Sequence, residues 1–248
     1  SLLLLIIAYH VRKSVEETPA FLELTKQGQT KSQLLNNFKN KEIRKRMFLL
    51  FLCVSSSGAI LFFCVQVYTA IFLKTSVSLD PALVDKLSIL ATCALLPLTV
   101  FCGWLSDLFG RKSVVLSGII LGAVFIYPLF KMLEQLGNTY KSIGDLTPLL
   151  GIFGVLLFLT TTLALVVGPQ SALLAEFFPA KNRNSAATLP HNLAAGWVGG
   201  LLPLAITWLN QITANNLAGL WYPVTFLGAA SLVGLLFLPE TKIASLEQ

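Results

Sequence analysis

The stretch PLLGIFGVLLFLTTTLALVV, residues 148–167, holds twenty residues without one Asp, Glu, Lys or Arg. A helix of that length rises about 30 Å, the thickness of a bilayer's hydrocarbon core. Working outward, the same reading applies to six segments: Met47–Leu73, Asp85–Ser106, Ser113–Leu133, Pro148–Phe177, Ser185–Asn210 and Leu220–Leu238. Each is apolar, and the charges collect between them. No water reaches the bilayer core, so a spanning segment must satisfy its own backbone, which a helix does. The short alternating segments of a β-barrel are absent from the sequence.

Composition agrees. Of 248 residues, 12% are charged, against about 25% in soluble domains, and the mean hydropathy is +0.74. The net charge of +6 does not point to nucleic acid, because the cations lie at the ends of apolar spans rather than along a soluble face. Fourteen of the 18 Lys and Arg fall on one side of the threaded chain and four on the other: Lys74, Lys86, Lys131 and Lys141. The positive-inside rule makes the richer side cytoplasmic, with the C-terminus inside. Cys53, Cys64, Cys93 and Cys102 all sit in apolar runs without a C-x-x-C pair, and read as packing residues rather than metal or redox ligands.

The apolar stretch Ser1–Val11 is too short to cross a bilayer, and Arg12 and Lys13 follow it rather than precede it, unlike a signal peptide. It reads as the end of a membrane helix that begins outside this sequence. Residues 12–46 read as a basic cytoplasmic linker, amphipathic near Phe38–Met47. Its basic residues admit two readings, a solvated loop with surface helices or a polybasic lipid-binding patch. Residues 47–238 carry the six spans, and 239–248 form a cytoplasmic tail.

The second and third full spans are joined by Gly103-Trp104-Leu105-Ser106-Asp107-Leu108-Phe109-Gly110-Arg111-Lys112. The loop is very short, and its glycines suit a tight turn and close helix approach. This stretch resembles the G-x-L-S-D-x-x-G-R-[RK] signature of the major facilitator superfamily. Glu16-Glu17-Thr18-Pro19-Ala20-Phe21, the stretch Gly168–Pro179 and Pro239-Glu240-Thr241-Lys242 are similar to runs in its metabolite:proton symporter family, which includes proline/betaine and dicarboxylate transporters. The resemblance implies an all-α membrane protein. It would be the C-terminal six-helix half of a transporter, comprising the end of helix 6 over 1–11, the central loop over 12–46 and helices 7–12 over 47–238. A six-helix N-terminal half would complete it. The implied partners are a small-molecule substrate, a coupling ion, H+, and the lipid bilayer.

The resemblance also implies a charge relay of Asp107, Arg111, Glu176 and Arg183 that holds the inward gate shut, around the motif residues Gly103, Gly110 and Lys112. Topology alone, with charges paired at helix ends, is the plainer reading of the same residues. The middles of the six spans hold no Asp, Glu, Lys or Arg, so a proton-carrying carboxylate is expected in the other half. His191, beside Pro190 and Asn192, is the titratable exception. It reads either as a proton relay or as a hydrogen-bonded histidine. Substrate sites in this fold lie near the midplane. The candidates there are Gln66, Tyr68, Gln170, Asn192 and Trp197, with Thr160–Thr162 beside them. An aromatic face would take an ammonium group and amides would take a carboxylate, although Gln and Thr also join helices and Trp and Tyr mark interfaces. Gly168-Pro169 is expected to interrupt its helix. Gly118/Gly122 and Gly196/Gly200 form G-x-x-x-G pairs expected at helix contacts.

The functional expectation is a proton-coupled symporter of a small polar metabolite such as proline, betaine or a dicarboxylate, working by alternating access in a bacterial inner membrane. The alternative is a truncated, transport-inactive remnant. Neither H-E-x-x-H nor G-x-S-x-G occurs, and no enzyme, metal or cofactor chemistry is expected.

Overall fold

The computed structural model describes residues 40–178 and 183–241, with side chains left undescribed at 183–185. The expected helix end over 1–11, most of the linker 12–46 and the tail beyond Thr241 lie outside those residues, as does the side chain of Arg183. Within them the chain forms six membrane-length helices: α1 Lys41–Thr75, α2 Pro81–Phe109, α3 Arg111–Ile143, α4 Leu146–Glu176, α5 Ala186–Thr213 and α6 Ala218–Phe237. No strand occurs among the described residues. Short connections force consecutive helices to run antiparallel, so Lys41, Gly110 and Glu176 share one end of the bundle. Thr75, Ile143 and Thr213 share the other.

Local chemistry sets the helix ends. Asn40 caps α1 by accepting the Glu42 N–H at 3.0 Å, so α1 begins six residues before the expected Met47. Asp80 caps α2 through the Leu83 N–H at 3.2 Å, with Pro81 in the first turn. Gly144, in the left-handed conformation, closes α3. That helix runs ten residues past the expected Leu133. The Lys131–Lys141 region was expected outside the bilayer, and hydropathy registers only where lipid ends. The helix continues into polar surroundings, where the Lys141 ammonium donates to the Val77 carbonyl at 2.7 Å.

α1 is the centre of the bundle. Of its most apolar window, 72% is buried, against 17% for α2 and 22% for α5. It packs on α4, α5 and α6, while α3 lies between α4 and α6, and α2 rests on α4. Tyr68 of α1 stacks on Phe130 of α3 at 5.7 Å between ring centroids, and Phe72 meets the same ring edge-on at 5.2 Å. Two stretches of α1, Leu50–Ser56 and Phe63–Tyr68, and one of α5, Ala194–Gly199, are π-helical.

Two expectations about glycine and proline need correction. α4 is continuous through Gly168-Pro169: a proline removes one hydrogen bond, and a packed membrane helix tolerates that loss. Gly118 does lie against α4 and Gly122 against α1 and α6. Gly196, however, has open space around its Cα, and the close α5–α1 contact is made by Gly199, seated on Ala59 and Phe63. Spacing of four was satisfied by the Gly196/Gly200 pair, but the helix turns π-helical there and rotates a different glycine into the contact.

Candidate functional site: a charge cluster at one end and an open cavity nearby

A single residue separates α2 from α3. Gly110 takes φ +99°, a region that L side chains rarely adopt, and its N–H closes α2 on the Ser106 carbonyl at 3.0 Å. The turn sets Asp107 and Arg111 side by side. One guanidinium nitrogen of Arg111 lies 2.5 Å from Asp107 Oδ1 and donates to Ser106 Oγ at 2.7 Å. The other reaches Glu176 Oε1 at the end of α4, at 3.3 Å. Arg111 therefore ties together α2, α3 and α4.

Exposure separates the two ion pairs. The Asp107 side chain is 57% exposed, whereas Arg111 and Glu176 are 15% and 16% exposed. Screening leaves an exposed pair worth about 0–1 kcal/mol. The Arg111–Glu176 pair attracts more strongly in its drier surroundings, but desolvation offsets much of the gain. Such a pair contributes little net stability. It does fix geometry, because either partner left alone is an uncompensated charge.

Glu240 completes the cluster from beyond α6. Its carboxylate accepts the backbone N–H of Arg111 at 2.8 Å and of Lys112 at 3.2 Å. These are orphan donors of the first turn of α3, at the positive end of the helix dipole. The neighbouring Thr241 hydroxyl donates to Glu176 Oε2 at 2.8 Å, and the Lys112 ammonium donates to the Leu235 carbonyl at 3.0 Å. Arg46 of α1 adds a bond to the Phe177 carbonyl at 3.3 Å. Sequence reasoning noted the Pro239–Lys242 run but gave Glu240 no role. Its partners lie about 130 positions away, so no local pattern marked them.

Behind the cluster, α2 and α4 cross at Gly103 and Gly168. A Cβ on Gly168 would stand 2.6 Å from the Thr99 carbonyl oxygen and 2.9 Å from the Gly103 nitrogen, so the backbones touch. Beside this crossing a cavity of about 550 Å3 opens among α2, α4 and α5, with Thr99, Gly103, Gln170, Ser171 and His191 in its wall. The Gln170 amide nitrogen lies 3.5 Å from His191 Nδ1. Gln170 is 9% exposed and packs on Gly58 of α1.

The other candidates stand elsewhere. Gln66 accepts the Thr92 hydroxyl at 2.7 Å, joining α1 to α2. Tyr68 is 2% exposed, stacked on Phe130 and accepting from Asn210 at 2.9 Å. It borders a second cavity, about 540 Å3, at the opposite end, with Thr75, Thr207, Gln211 and Asn216. Asn192 and Trp197 are exposed on α5. Thr160 and Thr162 are buried and bond back to carbonyls of their own helix. The structure therefore brings Gln170 and His191 together, sets Tyr68 at a second cavity and leaves Trp197 exposed. Among the described residues, no three His, Cys, Asp or Glu side chains converge as metal ligands.

Comparison with known proteins gives this architecture a family. Residues 9–248 match the model described as sugar (and other) transporter. The chain is 26% identical over 250 residues to the inner membrane metabolite transport protein YhjE of Escherichia coli (strain K12), covering 99% of this chain and 54% of that protein. It is 25% identical over 232 residues to the citrate-proton symporter of Salmonella typhi, covering 92% and 49%. It is 27% identical over 235 residues to a protein of Staphylococcus aureus (strain MSSA476) named "Putative proline/betaine transporter", covering 92% and 45%. The chain thus spans about half the length of the curated relatives it matches. No solved structure matches it significantly. With the match running over nearly the whole chain and six membrane-length helices built around the Gly103–Lys112 turn, the chain belongs to the sugar (and other) transporter family of the major facilitator superfamily.

Proposed function

We propose that this chain is the C-terminal six-helix half of a secondary active transporter, a proton-coupled symporter of a small polar metabolite such as proline, betaine or a dicarboxylate. It sits in a bacterial inner membrane with the Gly110 end cytoplasmic, and it works by alternating access with a second six-helix half. The observation that carries the reading is the Arg111 fork: one largely buried guanidinium joins three helix ends, while Glu240 accepts the Arg111 backbone N–H and Thr241 donates to Glu176. Ion pairs that form in one conformation only can bias a two-state equilibrium. Asp107, Arg111 and Glu176 then hold the cytoplasmic end shut, and Arg183 is assigned to the same relay. The open cavity at Gln170 and His191 begins about one to two helical turns from Asp107 and Glu176 along α2 and α4. Its wall is mostly apolar, with Val100, Val167 and Leu174, but among the described residues it also offers the Gln170 amide, the His191 imidazole and the Thr99 and Ser171 hydroxyls, which can donate to a carboxylate-bearing solute.

The test is uptake of labelled proline, betaine and succinate by cells expressing the gene that encodes this chain, with and without a protonophore. Uptake of one of them that collapses with the protonophore supports the reading. Absence of uptake for all three, with the protein present in the membrane, favours the transport-inactive alternative.

A further inference from the structure

At the end opposite the Arg111 cluster, the Asn210 amide dictates where its neighbours' protons can go. Its oxygen accepts the Gly219 N–H at 2.6 Å. Its nitrogen donates to the Asn216 carbonyl at 2.7 Å and to Tyr68 Oη at 2.9 Å. Turning the amide over would set N–H against the Gly219 N–H and oxygen against the Asn216 carbonyl, so its partners assign its orientation. Tyr68 Oη is therefore the acceptor in that bond, and its own proton has no acceptor among the described residues. Tyr68 is buried, and a buried hydroxyl proton left unpaired is costly.

Room for the missing acceptor exists in the cavity of about 540 Å3 whose wall Tyr68 shares with Asn210 and Asn216. Other groups in that wall are also unfilled. The side chains of Ser76, Gln211 and Asn216 make no hydrogen bond among the described residues, and they offer both donors and acceptors. A hollow of about 480 Å3 shares Ile71, Thr207 and Gln211 with this cavity and adds the exposed Trp208. Amides, hydroxyls and an aromatic face in a concave space are the make-up of a small-molecule site. No Asp, Glu, Lys, Arg or His lines either hollow, whereas His191 stands in the wall of the cavity at Gln170. An ionic solute would shed its hydration here without meeting a countercharge. A solute whose polar groups are hydroxyls gives and takes hydrogen bonds as the wall does.

We propose that the hollow at Tyr68 is a second solute site, which takes an uncharged polyhydroxyl compound, a polyol or sugar. Tyr68, Gln211 and Asn216 bond its hydroxyls, and Trp208 covers its C–H face. The site is separate from the cavity at Gln170 and His191, where the transport reading puts its solute, and it stands without that reading.

The experiment measures binding of tritiated sorbitol and of tritiated glucose to the full chain, purified in a detergent without a sugar headgroup. Gluconate, which carries a carboxylate where sorbitol carries a hydroxyl, is the charged competitor. Tyr68→Phe removes the phenol hydroxyl and keeps the ring. Gln211→Leu breaks no hydrogen bond among the described residues, so it tests the site without disturbing the fold. The expected result is saturable binding of at least one probe, displaced by the unlabelled probe and not by gluconate. Each of the two variants should weaken it roughly three- to tenfold, and Gln170→Leu should leave it unchanged. Absence of saturable binding for both probes, as would follow if water or another part of the protein filled the hollow, overturns the proposal. So does equal displacement by gluconate, or binding that falls with Gln170→Leu and not with Gln211→Leu.

Discussion

Glu240 Oε2 occupies the space of a side chain that Gly110 lacks: a Cβ built on Gly110 would stand 2.5 Å from it. A residue beyond the last helix thus fits against the turn between the second and third. Only glycine allows the fit, both for its φ of +99° and for the room it leaves. Gly110→Ala should displace the carboxylate and strain the turn, at a cost of about 1–3 kcal/mol. Thermal unfolding in detergent should show a clear drop in midpoint, and an unchanged midpoint would mean the clasp is not formed.

Arg111 serves two carboxylates with a planar fork that a lysine ammonium lacks. Arg111→Lys should therefore behave more like Arg111→Ala than like wild type in any assay of function. A double-mutant cycle of Arg111→Ala and Glu176→Ala should give a coupling of about 1–3 kcal/mol. The cycle of Arg111→Ala with the exposed Asp107→Ala should give less. Equal couplings would contradict the assignment of Glu176 as the principal partner.

Glycines in this bundle divide by what surrounds them. Gly168→Ala drives a methyl group into the Thr99 carbonyl of α2, and overpacking of that kind costs about 1–3 kcal/mol. Gly154 and Gly228 meet nothing within 4 Å, so Gly154→Ala and Gly228→Ala should be neutral or stabilising by up to about 1 kcal/mol. Comparison of unfolding midpoints across the three variants decides the matter.

At the end opposite the cluster, Asn210 satisfies its whole amide. It donates to Tyr68 Oη at 2.9 Å and to the Asn216 carbonyl at 2.7 Å, and accepts the Gly219 N–H at 2.6 Å. Asn210→Leu strands those groups at a cost of about 1–3 kcal/mol. Asn210→Asp keeps the acceptor and loses the donors, so it should unfold between wild type and Asn210→Leu.

Lipid thickness imposes one length on every span, which is why residues 148–167 and their five counterparts could be read directly as membrane helices. The reading stopped where that constraint stops. α1 starts at an asparagine cap and α3 runs past Lys131 and Glu134 because helix continuation outside lipid depends on capping and packing, not on hydropathy. The Gly103–Lys112 turn was legible because its chemistry is local: one glycine with φ of +99° and an acid and a base four positions apart. Glu240 and Thr241 were not, since their bonds close across the bundle. Nor was the pairing of Gln170 with His191, since no residue between them signals how α4 and α5 face each other. The contact of Gly199 was not legible because the π-helical stretch around it shifts the face that the four-residue spacing assigns to Gly196 and Gly200.

The claim on which the account rests is that the Arg111 cluster closes one end of the bundle over the cavity at His191. The measurement is the labelling rate of His191→Cys by a membrane-impermeant maleimide, in a Cys93→Ser background, since Cys93 is the exposed native thiol among the described residues. Labelling is compared in inside-out and right-side-out vesicles, with and without Arg111→Ala. A bias weakened by about 1.4 kcal/mol opens the cavity about tenfold more often. Arg111→Ala should thus raise labelling several-fold in inside-out vesicles and leave or lower it in right-side-out ones. Rates that do not change in inside-out vesicles would contradict the account.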